Sequence, residues 1–433
     1  MTRDRRSARS KGLFSAGWAE PCYGVVLRRL AIAAAGAWEK RLLKEKYRGQ
    51  AKAHLPPTAK AFLEAASTMT FNFTIVSEQA IANAVATLRS GFLSEGKQVK
   101  RFEQELAARL GLVRPVAVNS GTTALHLALA IAGVAAGDEV IIPPQTFIAT
   151  GMAVLMQGAI PVFADIQYAT GNIDPNSVHK KISRKTKAVI PVHWAGYPCD
   201  LDEINQLARE HNLAVIEDAA HALGATYGSK PIGAISRFTC FSFQAIKHLT
   251  TGDGGALCCL RPEDEKRARI RRWFCIDRDN SPPSFLGERV YDADEVGYKY
   301  HLNDLGAAIG LGNLEEFPKV LGRLREIAGR YRHEFSQVRG ITLLESKEDR
   351  ESACWLFTLL AERRDDFLRA LQSRGVPASV LHQRIDRNSV FGGLRKDLPN
   401  IAWFNDHQAS VPLHAGLSDE EVETVIGAVK AGW

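Results

Sequence analysis

Ser242-Phe-Gln-Ala-Ile-Lys-His-Leu-Thr-Thr-Gly-Asp-Gly-Gly255 is the stretch from which the fold can be read. It holds one amine, Lys247, with hydroxyls on either side and three glycines that let the backbone turn tightly. An apolar run, Arg237-Phe-Thr-Cys-Phe-Ser-Phe243, feeds it. Upstream, a second apolar run, Leu213-Ala-Val-Ile216, ends in Glu217-Asp218. Both runs read as buried strands, so a lysine and an acid are each delivered by the end of a strand.

Working outward, strands and helices alternate. Ser77 to Arg89 reads as an amphipathic helix with Ile81, Ala84, Val85 and Leu88 on its apolar stripe. Gly91 to Gly96 is a turn, and Val99 to Leu110 a second helix. Val116–Val118, Glu139–Ile142, Ile160–Phe163 and Thr186–Val192 read as strands, with helices at Thr122–Ala132, Thr146–Gln157 and Leu201–His211. Continuous apolar strands alternating with helices predict a mostly parallel sheet covered on both faces. Ligands in such sheets sit outside the carboxyl ends of the strands, where Asp218 and the Lys247 loop fall. A helical stretch from Asn303 to Arg339, interrupted at Pro318, leads to strands near Ile341–Leu344, Trp355–Ala361 and Ala378–Val380. A last helix opens at Ser418-Asp-Glu-Glu421, a capping-box pattern. The expected division is a basic extension at 1–69, a large domain at 70–320 and a small α+β domain at 321–433.

A lysine that can form an imine and an acid that can pair with a pyridine nitrogen are what a pyridoxal phosphate (PLP) enzyme needs. Asn119-Ser-Gly-Thr-Thr123 adds a small-residue turn between a strand and a helix, where free backbone N–H groups favour a phosphate. No G-x-x-x-x-G-K-[S/T] spacing is present, which excludes a P-loop. No cluster points to a metal. Alone, each feature has a plainer explanation: a helix cap, a loop carboxylate, a surface lysine. Their joint placement matches PLP enzymes of the type I (aspartate aminotransferase) fold.

The chain resembles one branch of these, the DegT/StrS family of nucleotide-sugar aminotransferases. The likeness runs from about Phe71 to Trp433 and leaves out residues 1–69. It is carried by Asn119-Ser-Gly-Thr-Thr-Ala-Leu-His126, Pro144-Gln-Thr-Phe147, Pro191-Val-His-Trp-Ala-Gly196, Ile216-Glu-Asp-Ala-Ala-His221, the Lys247 loop and Gly297-Tyr-Lys-Tyr-His-Leu-Asn-Asp304, in that order.

The resemblance implies that Lys247 holds PLP and later shuttles a proton, and that Asp218 keeps the pyridine nitrogen protonated. It places Gly121, Thr122 and Ser242 on the phosphate and Phe147 against the ring, core packing being the plainer role for Phe147. It sets His221, at a position often Gln in the family, near the 3′ oxygen. His301, charged or uncharged, would reach the neighbouring subunit's phosphate, a structural loop being its plainer role; a segment that acts across subunits implies a homodimer with shared sites. His193 and Trp194 would lie beside the sugar, and His382, Arg384 and Arg387 are candidates for a diphosphate. A sister group carries His in place of the lysine and dehydrates sugars, and Lys247 favours transamination instead. The implied reaction moves an amino group from L-glutamate to a nucleotide-linked keto-deoxysugar through pyridoxamine phosphate (PMP). A cyclitol ketone as acceptor, or a regulatory protein on an inactive copy of the fold, are the alternatives.

The 433 residues are 45% hydrophobic and 24% charged, an ordinary globular composition. The net charge of +7 comes from residues 1–69, which hold nine more basic than acidic side chains. Such an extension can bind nucleic acid or an anionic membrane. The expectation here is instead a disordered tail or a little-used upstream start, with Met69 as a second start. Neither nucleic acid nor membrane is an expected partner: the apolar run Leu30–Trp38 is short of the ~20 residues that span a bilayer. The 7 cysteines form no C-x-x-C pair, which predicts reduced thiols and a cytoplasmic protein. Cys258 and Cys259 read as packed strand residues.

Overall fold

The strand that ends in Asp218 sits in the middle of a seven-stranded sheet. A computed structural model describes residues 69–278 and 280–433. The expectations for residues 1–68 lie outside the described residues. The sheet strands are β1 (Pro115–Val118), β2 (Glu139–Ile142), β3 (Ile160–Phe163), β4 (Thr186–Val189), β5 (Ala214–Asp218), β6 (Phe238–Ser242) and β7 (Gly255–Cys259). Their order is β1-β7-β6-β5-β4-β2-β3. Only β7 runs against its neighbours, pairing antiparallel with β1 and β6 while the other pairs are parallel. The fold is therefore the expected mainly parallel α/β type. Asp218, Ser242, the turn after Val118 and the loop joining β6 to β7 all lie at the carboxyl end of the parallel strands. Cys258 and Cys259 are buried in β7 as packing residues.

The helices are α1 (Glu78–Ser90), α2 (Lys97–Leu110), α3 (Gly121–Ile131), α4 (Ala149–Met156), α5 (Pro175–Lys181), α6 (Leu201–His211), α7 (Pro262–Arg271), α8 (Asp304–Phe335), α9 (Arg364–Ser373), α10 (Pro399–His407) and α11 (Asp419–Lys430). Two apolar cores flank the main sheet, one including Leu127, Ile142 and Ile216, the other Phe102, Ile141 and Phe241. This division follows from alternate strand residues facing opposite ways. A third core, with Tyr331, Phe357, Val411 and Val425, surrounds a small antiparallel sheet. That sheet is β8 (Ile341–Leu343), β9 (Phe357–Ala361) and β10 (Gln408–Val411). The Ser418–Glu421 capping box opens α11 as expected, and Val422, Val425, Ile426 and Val429 are all buried.

Four expectations are corrected. Helix α8 runs through Pro318 without a break, because Leu314, Phe317, Leu321 and Leu324 bury one continuous face across the missing hydrogen bond. Ala378–Val380 forms no strand but a single bridge, Ser379 to Ser410, and the third strand of the small sheet comes from Gln408–Val411. Helix α4 starts at Ala149, which leaves Thr146 and Phe147 in the preceding loop.

The fourth concerns α1. It packs on α8 through Ala80, where a Cβ on Gly312 would lie 2.2 Å from the Ala80 nitrogen. Close approach through small residues turns the larger stripe outward. Ile81, Val85 and Leu88 are exposed, and so are Phe92 and Leu93 in the turn that follows.

Candidate functional site

The Lys247 loop is pinned at its base. Phe243 is fully buried; its N–H bonds the Gly254 carbonyl at 2.8 Å, and its own carbonyl accepts from Thr251 N–H at 3.0 Å and the Thr250 hydroxyl at 3.0 Å. A Cβ on Gly254 would come within 2.2 Å of the Thr251 hydroxyl, so this turn needs glycine there. The loop sends the Lys247 amine inward, 3.6 Å from the centroid of the Trp355 ring. Burial pushes the amine down to about 7, with the Asp218 carboxylate opposing the shift. A lysine that acts as a base near neutral pH must be desolvated or sit beside another cation, and here desolvation supplies the effect.

Asp218 is held by its backbone on both sides, its N–H on the Pro191 carbonyl at 2.8 Å and its carbonyl accepting from His193 N–H at 3.1 Å. Its side chain accepts from the Thr150 hydroxyl at 2.7 Å and the Ala220 N–H at 3.2 Å. Burial raises the carboxyl, while Thr150, Ala220 and the Lys247 charge pull it back down.

At the start of α3, Ser120 makes a reciprocal capping box with Thr123. That leaves the N–H groups of Gly121 and Thr122, the first two of the helix, without intrahelical partners. A Cβ on Gly121 would sit 3.0 Å from the Ser242 Cβ. Gly121, Thr122 and Ser242 therefore converge beside one helix N-terminus.

An aromatic row completes the site. His221 stacks on Trp355 at 3.8 Å, His382 lies 6.1 Å from His221 and nearly parallel to it, and Phe147 lies 5.3 Å from His382. Burial holds His221 well below the usual imidazole range, with the Lys247 charge adding to it. Burial likewise lowers His382 to about 4. The Nδ1 of His221 is buried with no partner among the described residues. Phe147 is 54% exposed, so core packing is not its role.

Residues 74–430 match the sequence profile of the DegT/DnrJ/EryC1/StrS aminotransferase family. The chain belongs to that family. A curated relative is the UDP-4-amino-4-deoxy-L-arabinose–oxoglutarate aminotransferase of Shewanella sediminis, 31% identical over 82% of this chain and 95% of the relative. Among solved structures, the sugar aminotransferase CalS13 of Micromonospora echinospora superposes with a TM-score of 0.80 at 34% identity, covering 84% of this chain and 100% of that one. The PLP form of Spr1654 from Streptococcus pneumoniae superposes with a TM-score of 0.77 at 30% identity, covering 84% and 98%; a PMP form of the same protein is also similar. The chain is thus a PLP-dependent aminotransferase of the type I fold.

The residues present fit the cofactor. An orphaned imidazole nitrogen, a buried neutral-leaning amine, a buried carboxylate and two free helix N–H groups surround the same strand ends.

Other sequence candidates fall differently. The Tyr298–Leu302 segment lies against β1: His301 bridges Val118, and Asn119 N–H bonds the Tyr300 carbonyl at 2.8 Å. His301 packs edge-on to Trp273 at 4.3 Å. Burial, with Arg272, Lys299 and Arg278 adding to it, lowers His301 to about 4. That shift favours the uncharged ring. His193 is committed to the scaffold, its Nδ1 accepting from Cys199 N–H at 3.0 Å and its Nε2 bonded to Glu217 at 2.8 Å. Arg384 is buried in a two-pronged pair with Asp386 at 2.7 and 2.6 Å, so it has no free face for a diphosphate. Sequence reasoning missed Trp355, Thr146 and Thr150. Trp355 was read only as a strand residue, and the two threonines had no signal apart from their i, i+4 spacing.

Proposed function

We propose that the enzyme moves an amino group from L-glutamate to a keto-deoxysugar linked to a nucleoside diphosphate, in amino-sugar biosynthesis for O-antigen, capsule or natural products. The observation that carries this reading is the buried Lys247 amine, poised near neutral pH beside Asp218 in a family of aminotransferases. The names of the similar enzymes support the choice of sugar acceptor and oxoglutarate-linked donor.

Bound PLP supplies a ring that stabilises negative charge on the carbon next to the transferred nitrogen. Lys247 would hold the cofactor through its amine and, once freed, its Nζ would take up the proton leaving the substrate carbon and deliver it to the carbon on the other side of the transferred nitrogen. An amine that loses its proton near pH 7 suits both directions of that transfer. Asp218 pairs with the pyridine nitrogen. The N–H groups of Gly121 and Thr122 and the Ser242 hydroxyl hold the phosphate at the helix N-terminus. Phe147 offers a free aromatic face to the ring. His221, kept uncharged, offers its unpartnered Nδ1 to the 3′ oxygen. The reading is tested by loading the enzyme with PMP and offering UDP- and TDP-linked 3-keto and 4-keto sugars. Amine formation on one of them, detected by mass spectrometry, is expected. Amination of scyllo-inosose alone would move the acceptor to the cyclitols.

The working unit in this reading is a homodimer, with His301 reaching the neighbour's phosphate as an uncharged hydrogen-bonding group. Support comes from the exposed apolar side chains of Ile81, Val85, Leu88, Phe92 and Leu93, which a lone subunit leaves in water. Introducing charge there with Val85→Asp and Leu88→Glu is expected to convert a dimer to a monomer by light scattering and to remove most activity. A dimer that persists in the double variant would place the interface elsewhere. No helix among the described residues is long and apolar enough to cross a membrane, and the six described cysteines are free thiols, which suits the cytoplasm.

A further inference from the structure

Between the ring-stacking position and the acid lies a chain of two hydroxyls. Thr146 and Thr150 are 1% and 0% exposed. The Thr150 hydroxyl is 2.7 Å from Asp218 Oδ2 and 2.6 Å from the Thr146 hydroxyl. Since Thr150 gives its proton to the carboxylate, the Thr146 hydroxyl must donate to Thr150. Both dipoles then point at Asp218, and such donor chains strengthen one another. A buried hydroxyl costs stability unless it is bonded, so two of them aimed at one carboxylate mark a site rather than idle packing.

We propose that Thr150, backed by Thr146, is a positioning residue that fixes the rotation of the Asp218 carboxylate and favours its ionised form. The inference rests on the reading that Asp218 pairs with the pyridine nitrogen of PLP. The turn that carries the chain also carries Phe147, so one short segment orients the ring's stacking partner and its acid together. The other groups facing Asp218 are Lys247, His193 and the Cys240 thiol. Among the described residues, the side chain of Asp218 accepts from the Thr150 hydroxyl on one oxygen and from the Ala220 N–H on the other.

The test uses the full-length apo-protein of Thr150→Val, Thr150→Ser and Asp218→Asn. PLP affinity is followed by tryptophan fluorescence across a pH series, alongside apo-protein Tm. Thr150→Val keeps the shape and removes the donor. It is expected to bind PLP about tenfold to a hundredfold more weakly, the span of one hydrogen bond to a charged group. A second, more acid step in its binding curve, below the Lys247 midpoint near 7, should move to higher pH, because the carboxyl then protonates sooner. Thr150→Ser should restore both, and the apo-protein Tm should not track either change. Wild-type affinity and pH midpoint in Thr150→Val, with Asp218→Asn impaired, would overturn the positioning role alone. Equal losses in Thr150→Val and Thr150→Ser that follow a lowered Tm would reduce it to packing. Wild-type PLP binding in Asp218→Asn would overturn the underlying assignment of Asp218 instead. Should Thr150→Val not fold, Thr146→Val provides the same comparison one hydroxyl further back, with the same signs and smaller shifts.

Discussion

Lys247→Ala lowers amino transfer by about four orders of magnitude or more, the expected result of losing the attachment amine and the proton carrier together. Proton transfer by a placed side chain is worth about 10²–10⁴ by itself, and no other described amine lies on Trp355 to replace it. The fold should survive, because a buried amine is a liability to the apo-protein. The sign follows from linkage. Burial lowers the amine to about 7 in the folded chain, while the unfolded chain holds its proton up to about 10.4. The cost of Lys247 is therefore fully present below pH 7 and fades as pH rises toward 10. In Lys247→Ala that cost is absent at every pH, so the apo-protein Tm of the variant should compare best with wild type at low pH. For the same reason PLP uptake by wild-type apo-protein, which needs the neutral amine, should rise as pH rises through about 7. An uptake midpoint near that of a free lysine would contradict the desolvation argument.

Asp218→Asn is the second large effect. The substitution keeps the shape of the side chain but removes the charge, and its amide has one acceptor oxygen where the Thr150 hydroxyl and the Ala220 N–H need two. Without that charge the pyridine nitrogen has no ionic partner in a buried site. Breaking a buried pair by removing one partner costs about 3–5 kcal/mol. PLP affinity and kcat together should fall by about a hundredfold to a thousandfold, read by equilibrium dialysis and by turnover with glutamate. A change in kcat with no change in PLP affinity would mean that the acid acts on substrate and not on the cofactor.

Much of the fold was legible because its strands are short, continuous apolar runs bounded by turn residues. Glu139–Ile142 and Ile160–Phe163 are strands over the residues expected. The errors arose where packing overrode pattern. Ile81, Val85 and Leu88 form an apolar stripe at helical spacing, yet the helix approaches Gly312 through Ala80 and leaves that stripe exposed. Pro318 reads as a breaker, yet the buried face on either side of it carries the helix through. Gln408–Val411 alternates polar and apolar residues, but all four are buried, so alternation there did not report exposure.

The turns that carry Gly121, Asp218, Ser242 and Lys247 meet at one end of the sheet, because motifs at strand ends are placed by the topology itself. What the sequence could not show were side chains acting through others. Thr150 touches Asp218 from 68 positions away, and Trp355 meets Lys247 across more than a hundred residues. The charge of His301 was also out of reach, since it depends on partial burial of the ring and on Arg272, Lys299 and Arg278 gathering around it.

The attachment point of the cofactor is the most direct test of Lys247 as the reactive amine. The PLP-loaded protein should be reduced with borohydride, digested and mapped by mass spectrometry, with and without prior treatment with L-glutamate. The adduct is predicted on Lys247, and glutamate treatment should abolish it by freeing that amine. An adduct on another lysine, or none on Lys247, would contradict the account.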